Sequence, residues 1–425
     1  MRAHKLSKQC SQASIVSPHM KLCQSCGGAG AVSRLQRGDS ETFLCQSCCT
    51  KRVRGEEEER ILFPSFVEGL SSSITGVLPD DFRRDSHDFM PKDFDRLADE
   101  GNFMAVVVID GNRFGKRVQK LLEETRGQPI AEAAARLRHF SVGIDQLSRD
   151  SLARAVSDAF TADLKALKPE VIRRRFLKDG EFCLPFRPVI IGGDELTFVC
   201  RADWGLDIAL RFSQLLREQS GADEHAFGKQ GLSCSIGAAI VKRSFPFKNA
   251  HRLAEQLLAS AKRRNREYLP NRDFSALDFS VVTTAAIDEI ERQREREYLY
   301  TDDSGDRFCL TGRPYIINEG AYPVSDHEKR HEFHTMIEKA MVLHGNLASN
   351  KFRSLRRVLR TGKLNSEFRW VESTSRLSPQ SRGEVTRVKD FYGGLWRRDT
   401  WERRDVLMNN FVDMAEVYDY LGNLK

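Results

Sequence analysis

The sequence predicts an α+β protein: a mostly antiparallel sheet with helices on one face, a small cysteine-bearing element before it and a helical region after it. Three observations predict this. The unbroken apolar run MAVVVI, Met104–Ile109, reads as a buried strand. Two further apolar runs meet at Gly192-Gly193 in PVIIGGDELTFV, Pro188–Val199, and read as a hairpin with Asp194 and Glu195 at its tip. Apolar positions at three- and four-residue spacing mark helices over roughly 129–177, 204–219 and 249–268. The order is strand, helices, strand, strand, helix, strand, helix, strand, which gives a sheet with its helices segregated.

The chain has 425 residues, enough for two or three domains, with 40% apolar and 30% charged residues. Residues 1–20 read as disordered, and EEEER (Glu56–Arg60) opens a helix expected to run through Leu70. The polar segment around Pro79 reads as a linker. The expected domains are 20–70, a cysteine element with a connecting helix; 95–285, the sheet domain; and 286–425, a small helical bundle. No apolar run is long enough to span a bilayer and no signal peptide is evident, so the expectation is a cytoplasmic protein without membrane contact. The net charge of +7 permits anionic partners such as nucleotides or RNA without requiring them, and the basic C-terminal stretches read first as solvated helix faces.

Ten cysteines are present. Cys23, Cys26, Cys45 and Cys48 form C-x₂-C, eighteen residues, C-x₂-C, the spacing of a zinc ribbon. Four thiolates close a tetrahedral site, so the zinc is expected to be structural rather than catalytic. Cys49 is a competitor for the place of Cys48.

The exit of the first strand reads IDGNRFG. If that strand lies beside the hairpin, Asp110 and Asp194 face one another. Two such carboxylates repel unless a cation lies between them, and Mg²⁺ or Mn²⁺ prefers oxygen pairs of this kind. Gly111 allows close backbone approach, and the following helix offers its N-terminus to phosphate. Lys262 and Arg266, four apart in NAHRLAEQLLASAKRRNREY, share a helix face and can neutralise phosphates. His327, His331 and His334 also share a face, but no acid or cysteine partner is evident, so a polar helix face is the favoured reading. His87-Asp88 lacks a second histidine cluster, and a nuclease site is not expected there.

Four elements occur in order: the strand ending in DGN-x-x-G, the GGDE hairpin, the SIG strand (Ser235–Gly237) and the helix carrying AK-x-x-x-R. In this the chain resembles the nucleotidyl-cyclase palm of GGDEF-type cyclases and of the large polymerase-like subunit of type III CRISPR effectors (the Cas-ten family). The CRISPR branch is the better match, with a four-cysteine element before the palm and an RPY segment after it (Arg313–Tyr315). The tip is GGDE where that family usually has GGDD, and the strand exit is DGN where it has DGD.

The resemblance implies a ferredoxin-like palm, corresponding to the second, catalytic palm of the larger proteins. It implies a metal-dependent nucleotidyltransferase that makes a cyclic oligonucleotide or dinucleotide in antiviral defence. Asp110 and Asp194 would hold two Mg²⁺ or Mn²⁺ ions, and Glu195 would complete the shell or position the attacking hydroxyl. Gly111, Asn112, Phe114, Gly115, Gly192, Gly193, Lys262 and Arg266 would contact the nucleotide. Val118 occupies the place where diguanylate cyclases carry a guanine-reading asparagine, so the expected substrate is ATP. With one palm, the partners expected are a second copy or another palm protein. A non-catalytic, RNA-binding scaffold subunit is the alternative.

Overall fold

The computed structural model describes residues 21–37, 40–62, 68–70, 72, 74, 89–91, 94–178, 181–223, 227–268, 272–283, 289–320, 322–401 and 404–424. Cys10, the region around Pro79 and His87-Asp88 lie outside them. The chain divides into two compact units, Met1–Glu68 and Gly69–Lys425.

In the first unit, strands β1 (Ser33–Arg37) and β2 (Ser40–Leu44) form an antiparallel hairpin, followed by helix α1 (Gln46–Leu62). The first C-x₂-C turns tightly: the Gly27 N–H donates to the Cys23 carbonyl (2.9 Å), and Gly27 takes a positive φ of 64°. Cys45 stands just before α1 and Cys48 in its first turn.

The second unit is built on a six-stranded sheet. Its elements are β3 (Phe103–Gly111), α2 (Phe114–Glu124), α3 (Ile130–Ala166), α4 (Pro169–Phe176), β4 (Phe186–Gly192), β5 (Glu195–Arg201), α5 (Ala202–Ala222), β6 (Cys234–Lys242), α6 (Phe247–Tyr268) and β7 (Ser275–Val282). The chain continues through α7 (Ile290–Tyr298), β8 (Leu299–Thr301), β9 (Arg307–Cys309) and β10 (Tyr315–Ile317). The strand order is β10-β7-β6-β3-β5-β4, and every pair is antiparallel except β6 with β7. The four strands β6-β3-β5-β4 with α3 and α5 make the ferredoxin-like arrangement.

Helices cover both faces of this sheet rather than one, and β3 shows why. Successive strand side chains point to opposite faces. Met104, Val106 and Val108 pack against Ala250, Leu253, Ala254 and Leu257 of α6. Ala105, on the other face, meets α5 at Gly205, where an added Cβ would lie 2.4 Å from the Ala105 Cβ. A strand covered on both sides reads as an unbroken apolar run, and each fully buried valine contributes about 1.5–3 kcal/mol. The expected single layer of helices describes the ferredoxin-like core; α6, which connects β6 to β7, adds the second.

Helix α3 clamps the β4–β5 hairpin at both ends. Asp163 accepts from Arg201 at the base of β5 (2.7 Å), and Asp145 accepts from the Gly193 N–H at the tip (3.3 Å). Eighteen helical residues rise about 27 Å. The eight residue steps from 193 to 201, nearly all of them extended, span about 26 Å. The two lengths match, so one helix fixes the whole hairpin.

Beyond the palm are α8 (Asp326–Lys329), α9 (Phe333–Asn346), α10 (Ser349–Arg353), α11 (Leu355–Leu359), α12 (Lys363–Ser375), α13 (Pro379–Phe391), β11 (Arg397–Trp401), β12 (Arg404–Met408) and α14 (Phe411–Val417). The region is mainly helical, and it also holds a small sheet, β8-β9-β12-β11. The RPY segment is a structural tie. Arg313 is fully buried against Asp413 (3.1 Å) and Glu416 (3.2 Å), and it donates to the Phe279 carbonyl of β7 (3.1 Å). Removing one partner of such a pair costs roughly 3–5 kcal/mol.

Candidate active site

The register of the sheet sets the site. Asp110, the last side chain of β3, lies directly opposite Glu195 on β5 and opposite Ser235 on β6. The Gly111 N–H donates to the Asp194 carbonyl (3.0 Å), so strand exit and hairpin tip are joined backbone to backbone. Asp110 continues the alternate series 104, 106, 108 and therefore faces α6. On that face Lys262 of α6 forms an ion pair with the Asp110 carboxylate.

Asp194, half-buried at the tip, has its pKa raised. Burial is the main cause, and the charges of Asp110 and Glu195 add to it against the opposing pull of Lys262. Lys262 thus pairs with Asp110 and acts on Asp194, while Glu195 adds a third negative charge. This electrostatic deficit is what a divalent cation answers, and oxygen-only ligands suit Mg²⁺ or Mn²⁺. Asp110, Asp194 and Glu195 are the residues that fit it.

The glycines differ in role. Gly193 has φ 59° at the turn, and its N–H is held by Asp145, itself paired with Arg149 (2.8 Å). Nothing lies within 4 Å of a Cβ added at Gly192, Gly193 or Gly115, so the tip and the start of α2 border open space. Gly111 is crowded: a Cβ there would sit 1.9 Å from the Phe114 ring, which covers the strand exit.

Asn112 is committed elsewhere. It is buried, its amide nitrogen donates to Ser233 Oγ (3.0 Å) and the Phe274 carbonyl (3.1 Å), and its oxygen accepts from Ser235 Oγ (2.7 Å). Both donors are used, so the side chain ties β3 to β6 and β7 and offers no free donor to a ligand. Arg266 is exposed one turn beyond Lys262 and donates to the Lys262 carbonyl (3.3 Å), not to the acids. Val118 lies on α2. Asp145 and Arg149 are the site residues that sequence reasoning missed. They stand 48 and 44 positions before Gly193, in a helix with no local motif to mark them.

In the first unit, the sulfurs of Cys23, Cys26, Cys45 and Cys48 all lie within 4.8 Å of one another, and Cys49 is not in the set. The Cys45 N–H, with help from those of Cys26 and Ser25, draws the Cys23 thiol down against a burial penalty, while the neighbouring Cys45 sulfur pushes the Cys48 thiol up, so the four sulfurs share protons that a metal would displace. The group fits a tetrahedral zinc ion. Among the described residues no helix is long and apolar enough to cross a membrane.

Residues 103–269 match the family described as Cas10/Cmr2, second palm domain. No curated protein matches the chain. Two solved structures are similar in parts. One, "Crystal structure of Csm1-Csm4 cassette in complex with cA4", shares 14% identity over 57% of this chain and 29% of that one, with a TM-score of 0.28. The other, "Type III-B Cmr-beta Cryo-EM structure of the Apo state", shares 12% identity over 98% of this chain and 57% of that one, with a TM-score of 0.34. The chain thus spans less than two thirds of the length of either. The antiparallel sheet, the Asp110–hairpin junction and the family match fall on the same residues: the ferredoxin-like core built from Phe103 onward is the part of the chain that is similar to the Cas10/Cmr2 second palm domain.

Proposed function

We propose that this palm is a nucleotidyltransferase that joins nucleoside triphosphates, ATP in preference, into a cyclic oligonucleotide or dinucleotide with release of pyrophosphate. Its place would be cytoplasmic antiviral defence. The observation that carries the reading is the meeting of Asp110, Asp194 and Glu195 with Lys262 at the open edge of the hairpin tip. Divalent ions held by the three carboxylates would lower the pKa of an attacking hydroxyl and stabilise charge on the triphosphate. Lys262 would release Asp110 and take up the phosphates. The start of α2, open at Gly115, would receive a further phosphate, and the bare Gly192-Gly193 backbone would lie along the nucleotide. Gly111 and Phe114 shape that wall.

The chain would be organised as a structural zinc ribbon at 20–70, the palm at 95–285 and a helical region at 286–425. A cyclic product needs two nucleotides, each presenting a hydroxyl to the other, so the active unit would pair two palms, in a homodimer or with a partner protein. RNA remains a candidate partner for the basic C-terminal helices.

The Lys262–Asp110 ion pair also favours a second reading. A palm whose acid is neutralised by its own lysine can serve as a non-catalytic, RNA-binding scaffold. Incubation of the purified protein with each nucleoside triphosphate and Mn²⁺, followed by mass spectrometry across a dilution series, separates the two. The enzyme reading expects a cyclic product whose yield per molecule rises with protein concentration. The scaffold reading expects unchanged nucleotide at every concentration.

A further inference from the structure

We propose that His327, His331 and Asp399 form a second divalent transition-metal site, a clip that ties the α8 turn to strand β11. The histidine row of the sequence acquires an acid partner 68 residues downstream of His331. The ligand atoms of the three residues lie within 4.8 Å of one another. His331 Nε2 is 3.0 Å from Asp399 Oδ2, and His327 Nε2 is 3.5 Å from Asp399 Oδ1. Ligands at zinc bond lengths on a tetrahedron stand about 3.3–3.5 Å apart, so these two edges need only tenths of an ångström of adjustment. His334 is exposed on α9 and does not join the group.

The surroundings hold the ligands in place. Arg397 Nε donates to Asp399 Oδ2 (2.9 Å) and the Thr400 N–H to Oδ1 (2.8 Å), which fixes the carboxylate as partners behind a metal ligand do. The Ile316 N–H donates to the His331 carbonyl (2.8 Å) and fixes that residue's backbone. His331 is buried while the His327 side chain is 49% exposed, so an ion has a route in from solvent. A hydrogen bond between His331 and Asp399 accounts for one contact. It does not account for a second imidazole nitrogen aimed at the other carboxylate oxygen.

The spacing His327-Glu328-Lys329-Arg330-His331 is that of the helical zinc motif in which the glutamate acts as general base. Here Glu328 is occupied. Its carboxylate accepts from the Ser325 N–H (2.7 Å), Ser325 Oγ (2.8 Å) and Arg272 (3.0 Å). With its base capping a helix, the site binds and braces rather than hydrolyses. It carries one carboxylate beside a guanidinium, against four thiolates in the ribbon, so it is the weaker of the two sites.

The test counts metal. The full-length protein is loaded with Zn²⁺, freed of excess and analysed for zinc beside His327→Ala and Asp399→Asn. His327 is half exposed, so its replacement leaves the fold intact. Each variant is expected to hold one zinc fewer than the parent. Co²⁺ loading gives a second readout: the cysteine cluster contributes thiolate charge transfer in both proteins, and the difference spectrum, parent minus His327→Ala, is expected to show weak visible bands without it. The readout is the difference between parent and variant and does not depend on occupancy of the cysteine site. Equal zinc and equal Co²⁺ spectra in parent and His327→Ala would mean a hydrogen-bonded trio only, and would overturn the proposal.

Discussion

The Lys262 ammonium lies against the Asp110 carboxylate, on the α6 face of the sheet where β3 ends beside the hairpin tip. A lysine here acts as the resident cation among three acids. Lys262→Ala removes it. A charge-assisted contact is worth about 1.5–3 kcal/mol, so kcat/KM is expected to fall about 10- to 100-fold, chiefly through a raised KM for the triphosphate. Thermal unfolding should also become more sensitive to Mg²⁺. Steady-state kinetics and melting curves with and without Mg²⁺ check both.

Asp194 should cost stability in order to serve chemistry. Its pKa is raised above the ordinary carboxyl value of 3.8, chiefly by burial. Between the unfolded and folded values the native state therefore holds more protons, so stability falls as pH rises through that window and stays lower above it. Asp194→Asn removes this penalty. The variant is expected to melt at a higher temperature than the parent at pH 7, with the gap closing below pH 4, while losing turnover. Melting curves across pH measure it.

Asn112 is expected to act as a brace. Asn112→Ala leaves the buried Ser235 hydroxyl without its acceptor, at about 1–3 kcal/mol, while Ser233 keeps Asp273 (2.7 Å) and the Phe274 carbonyl keeps Asn265. The thermal midpoint should drop by several degrees with little change in KM. An unchanged midpoint with a raised KM would make Asn112 a nucleotide contact instead.

The cysteine cluster should hold one zinc that its own unit needs. Cys23→Ser is expected to lower zinc content by one ion per chain and to open residues 21–62 to proteolysis, since a structural zinc contributes folding energy directly. Elemental analysis and limited proteolysis report on it.

The parts legible in the sequence are those with short-range signals. MAVVVI announces a buried strand, the paired glycines announce the hairpin, and the cysteine spacing announces its cluster. The parts not legible depend on distant segments. Asp145 meets Gly193 only because the stretch of α3 from Asp145 to Asp163 matches the hairpin in length. Asp399 meets His331 across the fold, from a strand written RRDTW whose charges hide it. The same masking concealed the small sheet of β8, β9, β11 and β12, whose strands are three to five residues long. Asn112 reads as a ligand contact from its motif, yet Ser233, Ser235 and the Phe274 carbonyl claim it, and no local pattern shows this.

The most direct test of the palm as an enzyme is pyrophosphate release from ATP with Mn²⁺, measured for the parent, Asp110→Ala and Asp194→Ala at matched concentrations well above the micromolar range. The account predicts release by the parent and none above background in either variant, with all three folded. Release at the same rate in parent and variants, or none in any of the three with any nucleoside triphosphate, would contradict it.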